Sequence, residues 1–117
     1  MFILLGPSTG LGHNSIIYMI ECQVNYVLSC LRALEDKANA KANSNSSLGS
    51  MDVKKEALDR FVAFVEANLE GKVFTEGCTA WYRNARGVNW TLWPNDLTSY
   101  WWHTYSCDEK DYEFSSA

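Results

Sequence analysis

The chain has 117 residues, 47% of them hydrophobic, and a formal charge of −4 from ten Lys plus Arg against fourteen Asp plus Glu. That length suits one small domain, and the apolar share argues against disorder throughout. The acidic balance without a basic run speaks against nucleic acid or an anionic membrane as the main partner. No stretch reaches the ~18 consecutive apolar residues of a transmembrane helix, and the start lacks a signal-peptide pattern, so the expected location is cytoplasmic.

The first element is a continuous apolar run, Phe2-Ile3-Leu4-Leu5, the pattern of a strand buried on both faces in a parallel sheet. It leads into a glycine-rich loop, Gly6-Pro7-Ser8-Thr9-Gly10-Leu11-Gly12-His13-Asn14-Ser15. Beyond the loop, Ile17, Ile20, Val24, Val27, Leu31 and Leu34 recur in three- and four-residue steps. This spacing predicts a helix from about Leu11 to about Asp36 with that stripe as its apolar face. A strand, a glycine turn and a helix in this order expose unpaired N–H groups at the helix N-terminus, where an anionic or polar cofactor edge can bind, and glycines permit close approach. Gly6, Gly10 and Gly12 miss the G-x-G-x-x-G spacing, and His13 stands where a Walker loop has its lysine. The purely structural reading is a turn that starts a helix, with Thr9, Asn14 or Ser15 as its cap.

Residues Lys37 to Ser50, KANAKANSNSSLGS, are small and polar apart from two lysines and Leu48, which predicts a flexible linker or insertion. From about Lys54 to Leu69, Ala57, Leu58, Phe61, Val62, Val65 and Leu69 line one side of a second helix, with Gly71 placed as its C-terminal glycine. The texture then becomes aromatic and β-like. Thr79 to Tyr82 and Val88 to Trp93 flank Asn84-Ala85-Arg86-Gly87, a plausible hairpin turn. After Pro94-Asn95-Asp96, the segment Thr98 to Tyr105 is expected to be a last strand. The acidic tail from Cys107 is expected to fray. Cys22, Cys30, Cys78 and Cys107 form no C-x-x-C pair. Cys22 and Cys30 lie about 12 Å apart along one helix at ~1.5 Å per residue, too far to bridge, and idle thiols are the favoured reading. No catalytic residue or metal ligand is assigned.

A strand of the Phe2 to Leu5 type needs parallel neighbours, and these come from repeated strand-helix-strand units that nothing later in the chain supplies. The chain therefore reads like the end of a larger α/β protein whose first part is missing. It also resembles one. Gly6 through Glu21 looks like the last FAD-domain segment of the flavin-containing and Baeyer–Villiger monooxygenases. Gly77-Cys78-Thr79-Ala80-Trp81-Tyr82 through Leu92-Trp93-Pro94 and Tyr100-Trp101 is similar to the C-terminal end of the same family. The resemblance covers about Phe2 to Glu35 and Met51 to Tyr105.

What it implies is a parent enzyme using FAD and NADPH, oxygenating a ketone, amine or sulfide by way of a C4a-(hydro)peroxyflavin. In such enzymes the helix after the Gly-Pro turn aims its N-terminus at the pyrimidine edge of the flavin. Carried over, that role falls to Thr9, Gly10, Leu11 and Gly12, and Trp81 takes the position of a tryptophan near the NADP nicotinamide, although the family's preceding serine is Ala80 here. The implied fold is α/β: the terminal strand-loop-helix of an FAD-binding Rossmann-like domain (1–36), an insertion (37–50), a helix plus a short antiparallel Trp-rich β region (51–106) and an acidic tail (107–117). The fold is expected to be incomplete, with apolar surface exposed along Phe2 to Leu5 and one face of the first helix. The missing partner is an N-terminal FAD/NADP domain. No G-x-G-x-x-G occurs, and neither the family's F-x-G-x-x-x-H-x-x-x-W/D fingerprint nor its active-site arginine is present, so the chain alone is expected neither to hold FAD tightly nor to turn over. Two alternatives belong to other classes. One is a stand-alone binding module for a sugar or apolar molecule, which needs exposed, coplanar indoles between Trp81 and Trp102. The other is a helical protein dimerising through the Ile17 to Leu34 stripe.

Overall fold

A computed structural model describes residues 1–40, 49–73 and 80–115. In chain order these form helix α1 (Ile16–Ala40), strand β1 (Ser50–Val53), helix α2 (Lys55–Leu69), helix α3 (Leu97–His103), a 3-10 turn (Glu109–Asp111) and strand β2 (Tyr112–Ser115). The architecture is mixed α/β, and the two strands pair antiparallel, Ser50 opposite Ser115 and Val53 opposite Tyr112. The Cα radius of gyration is 16.8 Å, against about 13 Å for a compact domain of roughly this size. The elements leave one another partly uncovered.

Helix α1 begins at Ile16 rather than Leu11. The backbone of Ser8 and Gly10 is hydrogen-bonded to the segment Trp90 to Trp93 and cannot enter a helix, so the cap falls to Ser15, whose Oγ accepts from the Tyr18 amide at 3.3 Å. The far end runs on to Ala40 because Lys37, Ala38 and Ala40 favour helix, and Lys37 is held by Glu109 at 2.8 Å. The first four residues of the expected linker are thus helical and Ser50 lies in β1, while 41–48 fall outside the described residues.

The apolar phase of α1 is also reversed. Met19, Cys22, Gln23, Cys30 and Ala33 are buried, whereas Ile17, Val24, Leu28 and Leu31 are exposed. Positions 17 and 19 lie about 200° apart around a helix of 3.6 residues per turn, so the open stripe is nearly opposite the buried one. Of the expected core stripe, Ile20, Val27 and Leu34 reach partial burial at its flank.

Phe2 to Leu5 is not a strand. Leu5 has a left-handed backbone with φ of 54°, which breaks extension, and no strand pairs with the segment among the described residues. Its side chains are exposed, as the missing neighbours led one to expect.

Helix α2 ends as read from the sequence, with Gly71 at φ of 71° just past its last turn. The segment read as a last strand is α3 instead. Asp96 caps it by accepting from the Ser99 amide at 2.7 Å, and this cap behind Pro94 outweighs the β preference of Tyr100, Trp101 and Trp102. The tail is structured as far as Ser115 rather than frayed. Its 3-10 turn and β2 close on β1, and Lys54 ties both through its amide to the Asp111 carbonyl at 2.9 Å.

Candidate functional site

The glycine loop is laid along the segment Asn89 to Trp93. The Ser8 amide donates to the Trp90 carbonyl at 2.9 Å, Gly10 to Thr91 at 3.0 Å, and Trp93 back to the Gly10 carbonyl at 2.7 Å, a parallel bridge. Asn89, itself buried, supports the strip from below. Its Oδ1 accepts from the amides of Thr91 at 3.2 Å and Leu92 at 3.1 Å. On the other side Trp90 donates to the Tyr82 carbonyl at 3.2 Å, and Asn84 to Gly87 form the expected turn, with Gly87 at φ of 77°. Arg83 and Asn89 pair in an isolated antiparallel bridge, so the expected Trp-rich hairpin is reduced to that bridge and its turn, and Tyr82, Trp90 and Ser8 form one hydrogen-bonded ledge. The expected strand residue Thr79, with Gly77 and Cys78, lies outside the described residues.

The ledge rests on Trp93, 2% exposed and packed with Leu11, Met19, Cys22 and Tyr100 in the core. The Trp93 ring meets Tyr100 edge-on at 5.2 Å and Phe64 at 5.7 Å. Its Nε1 donates to the Asp96 carbonyl at 3.2 Å, joining ledge to α3.

The four loop residues singled out from the sequence do different things. The Thr9 hydroxyl donates to the Gly6 carbonyl at 2.5 Å and stiffens the turn. Gly10 spends its amide on Thr91, and a Cβ there would stand 3.3 Å from the Thr91 carbonyl oxygen. That close approach, rather than a ligand, explains the glycine. Leu11 is a core side chain. Gly12 is open, with no atom within 4 Å of where a Cβ would sit. The amides of Leu11 and Gly12 make no hydrogen bond among the described residues. Trp81 is 76% exposed, its ring edge-on to Tyr82 at 5.7 Å. It lies on the same ledge as the loop.

Sequence reasoning missed the polar groups beneath this ledge. Asn89 Nδ2 and Thr91 Oγ1 are buried without a hydrogen-bond partner, a cost of about 1–3 kcal/mol each until something meets them. The signal was the alternation of Asn89, Thr91 and Trp93 under a glycine loop, which reads only once the two segments are known to touch.

Beside the ledge is a cavity of about 440 Å³ between α1, α2 and α3, lined by Gln23, Phe61, Trp93, Tyr100 and His103 among others. The Gln23 Oε1 accepts from the Leu5 amide at 2.7 Å. Its Nε2 is buried without a hydrogen-bond partner. Burial pushes the Tyr100 phenol up to about 12. A second cluster joins α1 to the tail. The hydroxyls of Tyr26 and Tyr112 meet at 2.5 Å, and the Cys107 amide donates to Ser29 Oγ at 2.8 Å. Burial raises Tyr26 to about 12 against the opposing hydrogen bond from Tyr112. Burial first, and then the neighbouring Cys30 thiol, raise Cys107 to about 12. Thiols held this firmly protonated are poor nucleophiles. Trp81, Trp90, Trp101 and Trp102 are exposed. The Trp101 and Trp102 rings tilt 51° to each other and form no shared flat platform for a sugar.

Comparison with curated proteins fixes the lineage. The chain is 38% identical over 96 residues to a Baeyer–Villiger monooxygenase of Pseudomonas aeruginosa, covering 80% of this chain and 16% of that protein. It is 33% identical over 111 residues to a Baeyer–Villiger monooxygenase of Streptomyces coelicolor, covering 94% of this chain and 20% of that protein. The chain belongs to the flavin-dependent monooxygenase family. The FAD-binding monooxygenase ktnD of Aspergillus niger is 32% identical over 99 residues, covering 84% of this chain and 16% of that protein. The monooxygenase segment described here thus spans between 16% and 20% of the length of these relatives. No protein-family model and no solved structure matches it. None of its described helices is long and apolar enough to cross a membrane.

Proposed function

We propose that this chain is the C-terminal portion of a monooxygenase that uses FAD and NADPH, in which residues 2–5, the glycine loop and α1 close a Rossmann-like FAD-binding domain. The observation that carries the reading is the state of the loop. Its backbone is pinned to the Asn89 to Trp93 strip on one side, while the Leu11 and Gly12 amides stay uncommitted and Gly12 admits a ligand to the backbone. Just beyond it is the N-terminal end of α1, where the dipole and the first-turn amides favour negative charge.

Within this reading each residue has a task. Thr9 holds the turn, Gly10 lets the loop lie flat on Thr91, Leu11 anchors it in the core, and the amides of Leu11 and Gly12 face the pyrimidine edge of the flavin. Donors fixed there stabilise the negative charge of the reduced ring without reorganising. Bound FAD supplies the activation of dioxygen, and the substrate class is a ketone, amine or sulfide. Trp81, on the same ledge, borders the nicotinamide end of NADP. The chain alone carries neither dinucleotide fingerprint, so it holds neither cofactor tightly and does not turn over.

Sequencing full-length messages that contain the Met1 codon tests the reading. An upstream open frame carrying two G-x-G-x-x-G motifs is the expected result. Messages that begin at Met1 contradict it.

A further inference from the structure

We infer that Asn89 is a positioning residue of the flavin site: its side-chain carbonyl bends the strip at Thr91 so that two successive backbone carbonyls grip the glycine loop and fix where the Leu11 and Gly12 amides point. The inference rests on the reading that this loop borders the pyrimidine edge of FAD. Asn89 itself stays beneath the strip and acts through it.

In a regular strand, successive carbonyls point to opposite edges. Here the carbonyls of Trp90 and Thr91 both turn to the loop, accepting from Ser8 at 2.9 Å and from Gly10 at 3.0 Å, while the Trp90 amide is spent on Tyr82. The backbone can do this only by leaving the extended form, and it bends at Thr91. A bent strip leaves its next amides without a sheet partner. Asn89 Oδ1 serves both of them, Thr91 at 3.2 Å and Leu92 at 3.1 Å, in the local side-chain turn for which Asn is suited. The bend brings the Thr91 carbonyl so near the loop that a Cβ on residue 10 would stand 3.3 Å from its oxygen.

Two further observations show that the bend serves more than stability. Asn89 is 7% exposed, and its Nδ2 is buried without a hydrogen-bond partner among the described residues. A buried amide kept for its oxygen alone, with its donor unsatisfied, weakens the fold. A leucine would fill similar space with no orphaned donor, but it would also release the bend. The other observation is Ser8, whose φ of 59° is left-handed, a conformation that a residue other than glycine keeps where its surroundings hold it. The Trp90 carbonyl is that hold. Local rules are thus broken on both sides of one seam, and exceptions of this kind collect at functional sites.

The test uses a chimera in which this chain replaces the homologous segment of the Pseudomonas aeruginosa relative. Two quantities are measured: amide hydrogen exchange at Ser8 and Gly10, and the ratio of the FAD dissociation constants in the reduced and oxidised states. Amides aimed at the negative charge of the reduced ring favour that state, so displacing them shifts the ratio, whereas lost stability alone weakens both states alike. Asn89→Leu is expected to speed exchange at both amides at least about tenfold and to shift the ratio about tenfold against reduced FAD. Asn89→Ser, whose hydroxyl makes the same turn more weakly, is expected to shift it about threefold, and it decides the matter if Asn89→Leu does not fold. Val65→Ala, a buried substitution in α2, should lower stability and leave the ratio alone. FAD bound with either quantity unmoved by the Asn89 substitutions overturns the inference alone, as does an equal shift of the ratio in Val65→Ala. An unaltered chimera that binds no FAD refutes the flavin-site reading and this inference with it.

Discussion

The face of α1 that carries Met19, Cys22 and Cys30 is sealed, whereas the face that carries Ile17, Val24, Leu28 and Leu31 stands open, although the open one has the longer aliphatic side chains. The sealed face is set by the aromatic knot around Trp93, which needs a slim helix surface against it. The thioether of Met19 and the thiol of Cys22 fit there, and Trp93, Tyr100 and Phe64 fill the volume. The open face is built as if for a second layer. The difference teaches that apolarity alone does not say which side of a helix its own chain will cover.

Substitutions on the two sides should separate this account from one in which α1 is an ordinary surface helix. The largest effect is expected at the knot itself. Trp93→Ala should lose about 3–5 kcal/mol, enough to abolish a cooperative transition in chemical denaturation. Met19→Ala on the sealed face should cost about 2–4 kcal/mol, while Leu28→Ala on the open face should stay within about 0.5 kcal/mol in the isolated chain. Comparable losses at the two positions would end the distinction.

The glycine loop allows a finer comparison. Gly10→Ala drives a Cβ toward the Thr91 carbonyl oxygen and should cost on the order of 1 kcal/mol, whereas Gly12→Ala meets nothing within 4 Å and should be neutral in the same denaturation assay. The smallest effect concerns alkali. The folded state holds the phenols of Tyr26 and Tyr100 at about 12, above the ~10 of a solvated tyrosine. Their contribution to stability is complete below pH ~10, falls as the unfolded chain ionises and is lost by about 12. Tyr26→Phe should flatten the decline of stability across that window, and an unchanged slope would show that the Tyr26 site does not resist ionisation.

Much of this arrangement was written in local chemistry. The body of α1, most of α2, the Gly71 terminus and the Asn84 to Gly87 turn each follow from signals within a few residues. Helix α3 was hidden because three large aromatics in seven residues read as strand, and the Asp96 cap that decides otherwise looks like one more turn residue. Strand β2 was hidden because Glu113 and the preceding acids mask the alternation of Tyr112 and Phe114, whose partner strand lies far back in the chain. The phase of α1 was misread for a related reason. Periodicity finds the strongest aliphatic stripe, and here that stripe belongs to the uncovered side. The glycine loop was located correctly, but the hydrogen bonds that commit Gly10 and leave Gly12 open depend on Asn89 to Trp93, some eighty residues on.

The central claim is that this loop borders a flavin inside a longer enzyme, and it is measured most directly by bound flavin per polypeptide in a chimera in which this chain replaces the homologous segment of the Pseudomonas aeruginosa relative. The account predicts stoichiometric FAD in the chimera, a loss of most of it in Gly12→Val with folding intact, and none retained by the isolated chain. Full flavin content in the Gly12→Val chimera, or tight FAD binding by the isolated chain, would contradict it.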